Sequence, residues 1–229
     1  MKKIIKTAFI KSLPVLAGYL VIGFGFGMIC EKNSYGFLWT LAMSLFIYAG
    51  SMQYVTISLL TSNASLLTAF LTTLMVNARH LFYGISMVEH YKGSGKYKPY
   101  LIFGLTDETY SLVCTGEAPN GLDFHKYSVW VTIFNHFYWI IGSVLGVLVG
   151  SILKINTTGV EFSMTALFIT VFVEQWRKTK NHTPAIIGLF ATLVCLVIFG
   201  SDNFLIFSMI FISILLILFK KKIEYKEDN

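Results

Sequence analysis

Three short stretches of this sequence set ionisable or amide side chains inside long apolar surroundings. The first is Tyr48-Ala49-Gly50-Ser51-Met52-Gln53-Tyr54. Gly50 and Ser51 can loosen or break a helix, and a helix N-terminus starting there would present free N–H groups to a carboxylate. Gln53 would add a donor pair. The same residues would also suit a polar contact between packed helices. The second stretch is Asn77-Ala78-Arg79-His80. Asn77, His80 and Gly84 recur at i, i+3 and i+7 and share one helix face, while Arg79 and Tyr83 share a neighbouring face. The third is Gly104-Leu105-Thr106-Asp107-Glu108-Thr109-Tyr110. Adjacent carboxylates diverge by about 100° around a helix, so Asp107 and Glu108 cannot serve one partner equally. One is expected to pair with Arg79, and the other to accept an ammonium group or a proton. Like charges this close also favour proton uptake. If this segment is instead a surface loop, both carboxylates are solvated. Glu174-Gln175, beside Arg177, reads as a solvated span end.

These groups call for explanation because of what surrounds them. The chain has 229 residues, of which 55% are apolar and only 13% charged, against about 25% charged in a soluble domain. Mean hydropathy is +0.67. Asn33 to Ala78 is 46 residues without a Lys, Arg, Asp or Glu, and Tyr127 to Leu153 gives 27 more. Asn181 to Ser201 adds 21 and Asn203 to Phe219 adds 17. A helix crosses a bilayer with about 20 predominantly apolar residues, so these tracts are membrane material. A soluble enzyme, a nucleic-acid binder and a disordered chain are excluded. An ionisable group buried in a bilayer costs about 2.5–3.5 kcal/mol and so marks function by default. Arg79 is the only Lys or Arg between Lys32 and Lys92. It sits about two and a half turns from its span end, roughly 13 Å, where a partner is favoured over snorkelling to the interface.

The elements that must position these residues form an all-α polytopic membrane protein of about eight transmembrane segments, some broken or re-entrant. They run over 12–30, 37–60, 64–88, 100–116, 128–153, 161–176, 183–200 and 203–219. Pro14 and Pro184 are placed in first helical turns, where a missing N–H costs nothing. Span 100–116 is the polar one. The net charge of +6 reads as an orientation signal. Lys2, Lys3, Lys6 and Lys11 precede the first span, Arg177, Lys178 and Lys180 fill one break, and Lys220, Lys221 and Lys222 follow the last. The positive-inside rule then puts both termini in the cytoplasm, with the Lys92, Lys96 and Lys98 loop as the exception. No small-x-small cleavage site follows the basic N-terminus, so it reads as an uncleaved first helix.

One integral membrane domain over 1–229 is expected, with a two-fold repeat of four spans in halves 10–116 and 128–219. Tyr19-x-Val-Ile-Gly23 resembles Tyr138-x-Ile-Ile-Gly142, and Leu45-Phe46-Ile47 with Gln53-Tyr54 resembles Leu167-Phe168-Ile169 with Gln175-Trp176. Gly142, Gly146 and Gly150 form a small-residue stripe, as do Gly23 and Gly27, allowing close backbone approach within the chain or to a partner. Cys30, Cys114 and Cys195 form no CxxC pair and are expected to be small core residues.

Three of these blocks, Ala49–Gln53, Val76–Gly84 and Phe103–Thr109, resemble the signature blocks of the AzlC family, the large subunits of bacterial branched-chain amino acid exporters. Gly159-Val160-Glu161-Phe162, with Ala166-Leu167-Phe168 beyond, is similar to a later block in which Asp is usual where Glu161 stands. The resemblance covers roughly residues 10–200. It implies a bacterial inner-membrane protein that works with a small hydrophobic AzlD-type subunit. It implies export of valine, leucine or isoleucine, with methionine as a further candidate.

The residues themselves favour a secondary transporter. There is no GxxxxGK[ST] loop for ATP, so the proton gradient would supply energy through His80, Asp107 and Glu108. The substrate-binding candidates are Gly50, Ser51, Gln53, Asn77, Arg79, Asp107 and Glu108. Arg79 or the Gly50-Ser51 break would take the substrate carboxylate, Asp107 or Glu108 the ammonium, and Phe and Tyr residues would line the side-chain pocket. No cofactor or metal is expected. An intramembrane enzyme using His80, His136, Asp107 and Glu108 is the competing reading, but the histidines at 80, 90, 125, 136 and 182 show no HxxxH or HExxH spacing. A passive channel is the other alternative.

Overall fold

The computed structural model describes residues 1–152 and 181–219, together with 162, 169, 172–173 and 176–177. Among these residues every regular element is helical. In the N-terminal unit, which extends to Thr165, two long helices frame the rest. They are α1 (Lys2–Lys32) and α8 (Phe124–Ile152), each long and apolar enough to cross a membrane. Between them lie six shorter helices in three consecutive pairs. These are α2 (Gly36–Phe46) with α3 (Gly50–Thr61), α4 (Leu66–Val76) with α5 (Ala78–Met87), and α6 (Lys98–Phe103) with α7 (Asp107–Val113).

Each pair occupies one expected span, so spans two, three and four are all interrupted. The first break follows from local conformation. Tyr48 has a positive φ of 43° and Ala49 is non-helical at φ −126°, ψ 77°, so α3 starts afresh at Gly50. The break in span four is set by Gly104 and by Thr106, whose extended backbone and side chain cap α7 by accepting from Thr109 N at 3.3 Å. The break at Asn77 has no glycine or proline behind it, and the span expected over 64–88 is two helices rather than one. Asn77 (φ −93°, ψ 2°) closes α4 and opens α5.

The glycine stripes have one purpose within the chain: they bring α1 and α8 into backbone contact. A Cβ added at Gly142 would lie 2.6 Å from the Tyr19 carbonyl oxygen, and one at Gly23 would lie 3.1 Å from Ser143 N. At Gly27 it would strike the Ser143 carbonyl, and at Gly146 the Phe24 carbonyl. Around this seam Tyr19, Phe26, Tyr54 and Trp139 form a buried aromatic core. The Tyr54 hydroxyl donates to the Ile22 carbonyl at 2.5 Å and fastens α3 to α1.

Two smaller expectations change. Pro14 lies inside α1 rather than in its first turn, because the lysine-bearing segment from Lys2 is already helical. Its ring removes the hydrogen bond to the Ile10 carbonyl, and nearby the Ser12 hydroxyl donates to Phe9 O at 3.0 Å. Cys30 and Cys195 are buried as expected, but Cys114 is only half-buried, at the C-terminal end of α7.

In the C-terminal unit, from Ala166 onward, α9 (Thr183–Leu218) carries Pro184 in its first turn. Gly200 interrupts it at φ 69°, ψ 176°, a conformation essentially confined to glycine. Phe199 and Phe207 stack at 4.0 Å, whereas eight residues along a continuous helix would separate them by about 12 Å. The chain therefore folds back at Gly200, where the boundary between spans seven and eight is expected. Span 161–176, the block around Glu161, Glu174-Gln175 and the second repeat match fall largely outside the described residues.

Candidate functional site

Arg79 joins the three broken spans. From the first turn of α5, its Nη2 donates to Ser51 Oγ in the first turn of α3 at 2.6 Å. Its Nη1 pairs with Asp107 Oδ2, in the first turn of α7, at 2.5 Å. Three helix N-termini thus meet at one guanidinium. Each N-terminus carries partial positive charge, so the Asp107 carboxylate suits its place, and Arg79 depends on that carboxylate for compensation. The pair is not saturated. Arg79 Nε and Asp107 Oδ1 are both buried without a hydrogen-bond partner.

The adjacent carboxylate turns elsewhere. Glu108 Oε2 accepts from the Tyr19 hydroxyl of α1 at 2.7 Å. That hydroxyl also meets Thr106 Oγ1 at 2.7 Å, and Thr106 Oγ1 bonds Thr109 Oγ1 at 3.2 Å. Asn135 Nδ2 of α8 donates to Thr109 Oγ1 at 3.0 Å. A continuous buried chain of hydroxyls therefore runs from α8 to Glu108.

The other expected residues take separate places. Gly50 faces Trp139, whose Cη2 would lie 3.2 Å from a Cβ there. Gln53 is fully buried on α3 with neither amide atom partnered by protein, so it lies outside the Arg79 network. Asn77 and His80 line a cavity of about 290 Å³ together with Tyr48, Ala49, Leu105 and Thr106. The Asn77 Oδ1 atom is buried and unpartnered. His80 sits edge-on to Tyr83 at 5.9 Å, and Tyr83 stacks on Tyr110 at 4.7 Å, holding α5 against α7. Among the described residues no three His, Cys, Asp or Glu side chains gather as a metal site would require.

The buried polar face of α8 escaped the sequence reading. Ser128, Thr132, Asn135 and Trp139 are all buried and recur at i, i+4, i+7 and i+11, so one stripe faces the broken helices. His136 lies beside it. Its Nε2 meets the Ser44 carbonyl at 3.1 Å and its Nδ1 the Tyr100 hydroxyl at 3.2 Å. A carbonyl only accepts, so Nε2 carries the proton and Nδ1 accepts from Tyr100. Helical spacing of these polar residues was the available signal. It was masked because the tract contains no charge.

Residues 14–153, which contain this entire network, match the family model described as AzlC protein. The chain belongs to the AzlC family. A Bacillus subtilis relative named branched-chain amino acid transport protein AzlC is 41% identical over 97% of this chain and 87% of its own length. A Helicobacter pylori protein described as an uncharacterized membrane protein is 40% identical over 97% of both chains. The Escherichia coli inner membrane protein YgaZ is 28% identical over 79% of this chain and 77% of its own. No solved structure matches the chain. Membership of the AzlC family and the long apolar helices together make this a membrane protein.

Proposed function

We propose that this AzlC-family chain is a secondary transporter that exports branched-chain amino acids, with methionine as a further substrate. It works in the bacterial cytoplasmic membrane, with both termini in the cytoplasm and eight spans in two repeat halves, alongside a small hydrophobic AzlD-type subunit. The observation that carries this reading is the unsaturated ion pair where three helices break. A zwitterionic amino acid brings one acceptor group and one donor group. Arg79 Nε offers the matching free donor, and Asp107 Oδ1 the matching free acceptor. Broken helices whose N-termini face an anionic substrate group are a recurrent transporter device.

The substrate carboxylate takes Arg79, assisted by Ser51 and the start of α3, and its ammonium takes Asp107. Substrate entry exchanges one ion pair for two, so no buried charge is left uncompensated. Glu108, reached through the Tyr19 and Thr106 hydroxyls, is the proton carrier, and His80 is the second titratable group at the site. Coupling to the proton gradient makes this a transporter and neither an enzyme nor a passive channel.

The test is counterflow of labelled valine in proteoliposomes, with and without the small subunit, for the wild type and Asp107→Asn. Loss of counterflow in the variant is expected. Normal valine export with unchanged pH dependence in Asp107→Asn would end the carboxylate role.

A further inference from the structure

The cavity of about 290 Å³ is lined by residues of two unlike kinds. Asn77, His80 and Thr106 are polar and are the chain neighbours of Ala78-Arg79 and of Asp107. The rest is mainly aliphatic and aromatic, with Leu81, Met87 and Phe103 among its walls, together with Tyr48, Tyr91 and the exposed Lys98. Its volume falls just below the roughly 300–1,000 Å³ typical of small-molecule sites, so single methyl groups matter there.

Gly84 lies in this wall, one turn beyond His80 on α5. Glycine weakens a helix interior relative to alanine, so a reason for it is expected. Close helix contact is not the reason. A Cβ at Gly84 would meet no heavy atom within 4 Å, unlike those at Gly23, Gly27, Gly142 and Gly146, which would meet backbone. Nor does its backbone require glycine, because Gly84 is not among the positive-φ residues. What its missing side chain provides is space in the cavity.

We propose that this cavity receives the aliphatic side chain of the transported amino acid, and that Gly84 sets the largest side chain accepted. The inference rests on the substrate class proposed above. With the α-carboxylate and ammonium held at Arg79 and Asp107, the side chain extends past Asn77 and His80 toward Gly84. Each carbon added at position 84 takes room from the substrate.

The test uses the complete transporter in proteoliposomes, with labelled valine uptake competed by unlabelled valine, leucine and methionine. One methylene in an apolar pocket discriminates by about 10-fold or more. Gly84→Val should therefore shift the valine-to-leucine preference about tenfold toward valine, with Gly84→Ala moving less in the same direction. Gly18→Ala, open and exposed on α1, should leave the ratio unchanged. Active Gly84 variants whose ratio stays within about twofold of wild type overturn the proposal. Where a variant no longer transports, maleimide labelling of Gly84→Cys in a cysteine-free background decides. Leucine should protect that thiol, and absence of protection likewise overturns the proposal. A wild-type protein that handles no branched-chain amino acid would refute the substrate reading itself, a separate outcome.

Discussion

Removing the Asp107 carboxylate alone should destabilise the protein more than removing both charges of its pair. Arg79 Nη1 lies 2.5 Å from Asp107 Oδ2, and unit charges at that distance attract by roughly 6–7 kcal/mol at an effective dielectric of about 20. Desolvation offsets much of this, but deleting one partner of a buried pair strands the other at a cost of about 3–5 kcal/mol. The side chains are 29% and 20% exposed, which places the cost at the low end, about 3 kcal/mol. In Asp107→Asn the Ser51 hydroxyl, at 2.6 Å, remains for Arg79 but brings no charge. The double variant Arg79→Gln/Asp107→Asn strands nothing, so its loss should fall below that of either single variant and the two single losses should fail to add by more than about 3 kcal/mol. Thermal unfolding in detergent micelles reads this directly. At about 2–4 °C per kcal/mol for a chain of this size, Asp107→Asn should lose about 6–12 °C. The double variant should recover at least half of that loss. Single losses that add to within about 0.5 kcal/mol would refute the pair as an energetic unit.

Two further outcomes follow from the same geometry. Gly146→Ala would drive a methyl into the Phe24 carbonyl and to 2.9 Å from Phe24 Cα, a backbone that cannot yield. A loss of about 1–3 kcal/mol is expected, against no loss for Gly18→Ala, and equal melting temperatures for the two would refute the seam. Outside the membrane segments, Asp123 Oδ1 accepts from Lys126 N at 3.0 Å as α8 begins, and Lys126 Nζ lies 3.0 Å from Oδ2. The Lys126 backbone N–H, followed by its ammonium, holds the Asp123 carboxyl below its ordinary value of 3.8. The folded-state value is lowered, so the contribution is complete above about pH 4 and fades as pH falls through the lowered value. Asp123→Ala should cost about 1 kcal/mol at neutral pH, with the difference from wild type closing in acid. A difference that persists unchanged in acid would rule the cap out.

The all-helical architecture was legible in the sequence because long apolar tracts can satisfy their backbone in lipid only as helices or closed barrels, and the strand signature of a barrel is missing. Interruptions were legible only where local conformation causes them. Gly50-Ser51 announces its break through residue type and span 100–116 through its polarity, whereas Val76-Asn77-Ala78 carries no such mark. There the conformation is rewarded at a distance, by the bonds Arg79 makes to Ser51 and Asp107. Divergent roles for Asp107 and Glu108 could be read from the 100° step of a helix, but Tyr19 as the partner of Glu108 could not. It lies 89 residues away. The glycine stripes were visible as surfaces without an address, since a small residue states that something approaches and never what. Thr132 and Ser143 were hidden for a different reason. Their hydroxyls return to the carbonyls one turn back, at 2.9 and 2.8 Å, and so pass as ordinary helix.

The seam between α1 and α8 also decides which parts of the molecule can travel. Where glycine lies against backbone there are no rotamers to trade, and sliding by even part of a turn would press Cα atoms into carbonyl oxygens. This pair of helices behaves as a fixed axle. The three interruptions, at Tyr48-Ala49, at Asn77 and at Gly104–Thr106, act as knuckles on the levers mounted around it. Arg79 holds one side of all three knuckles together, so whatever takes hold of that guanidinium takes hold of three levers at once.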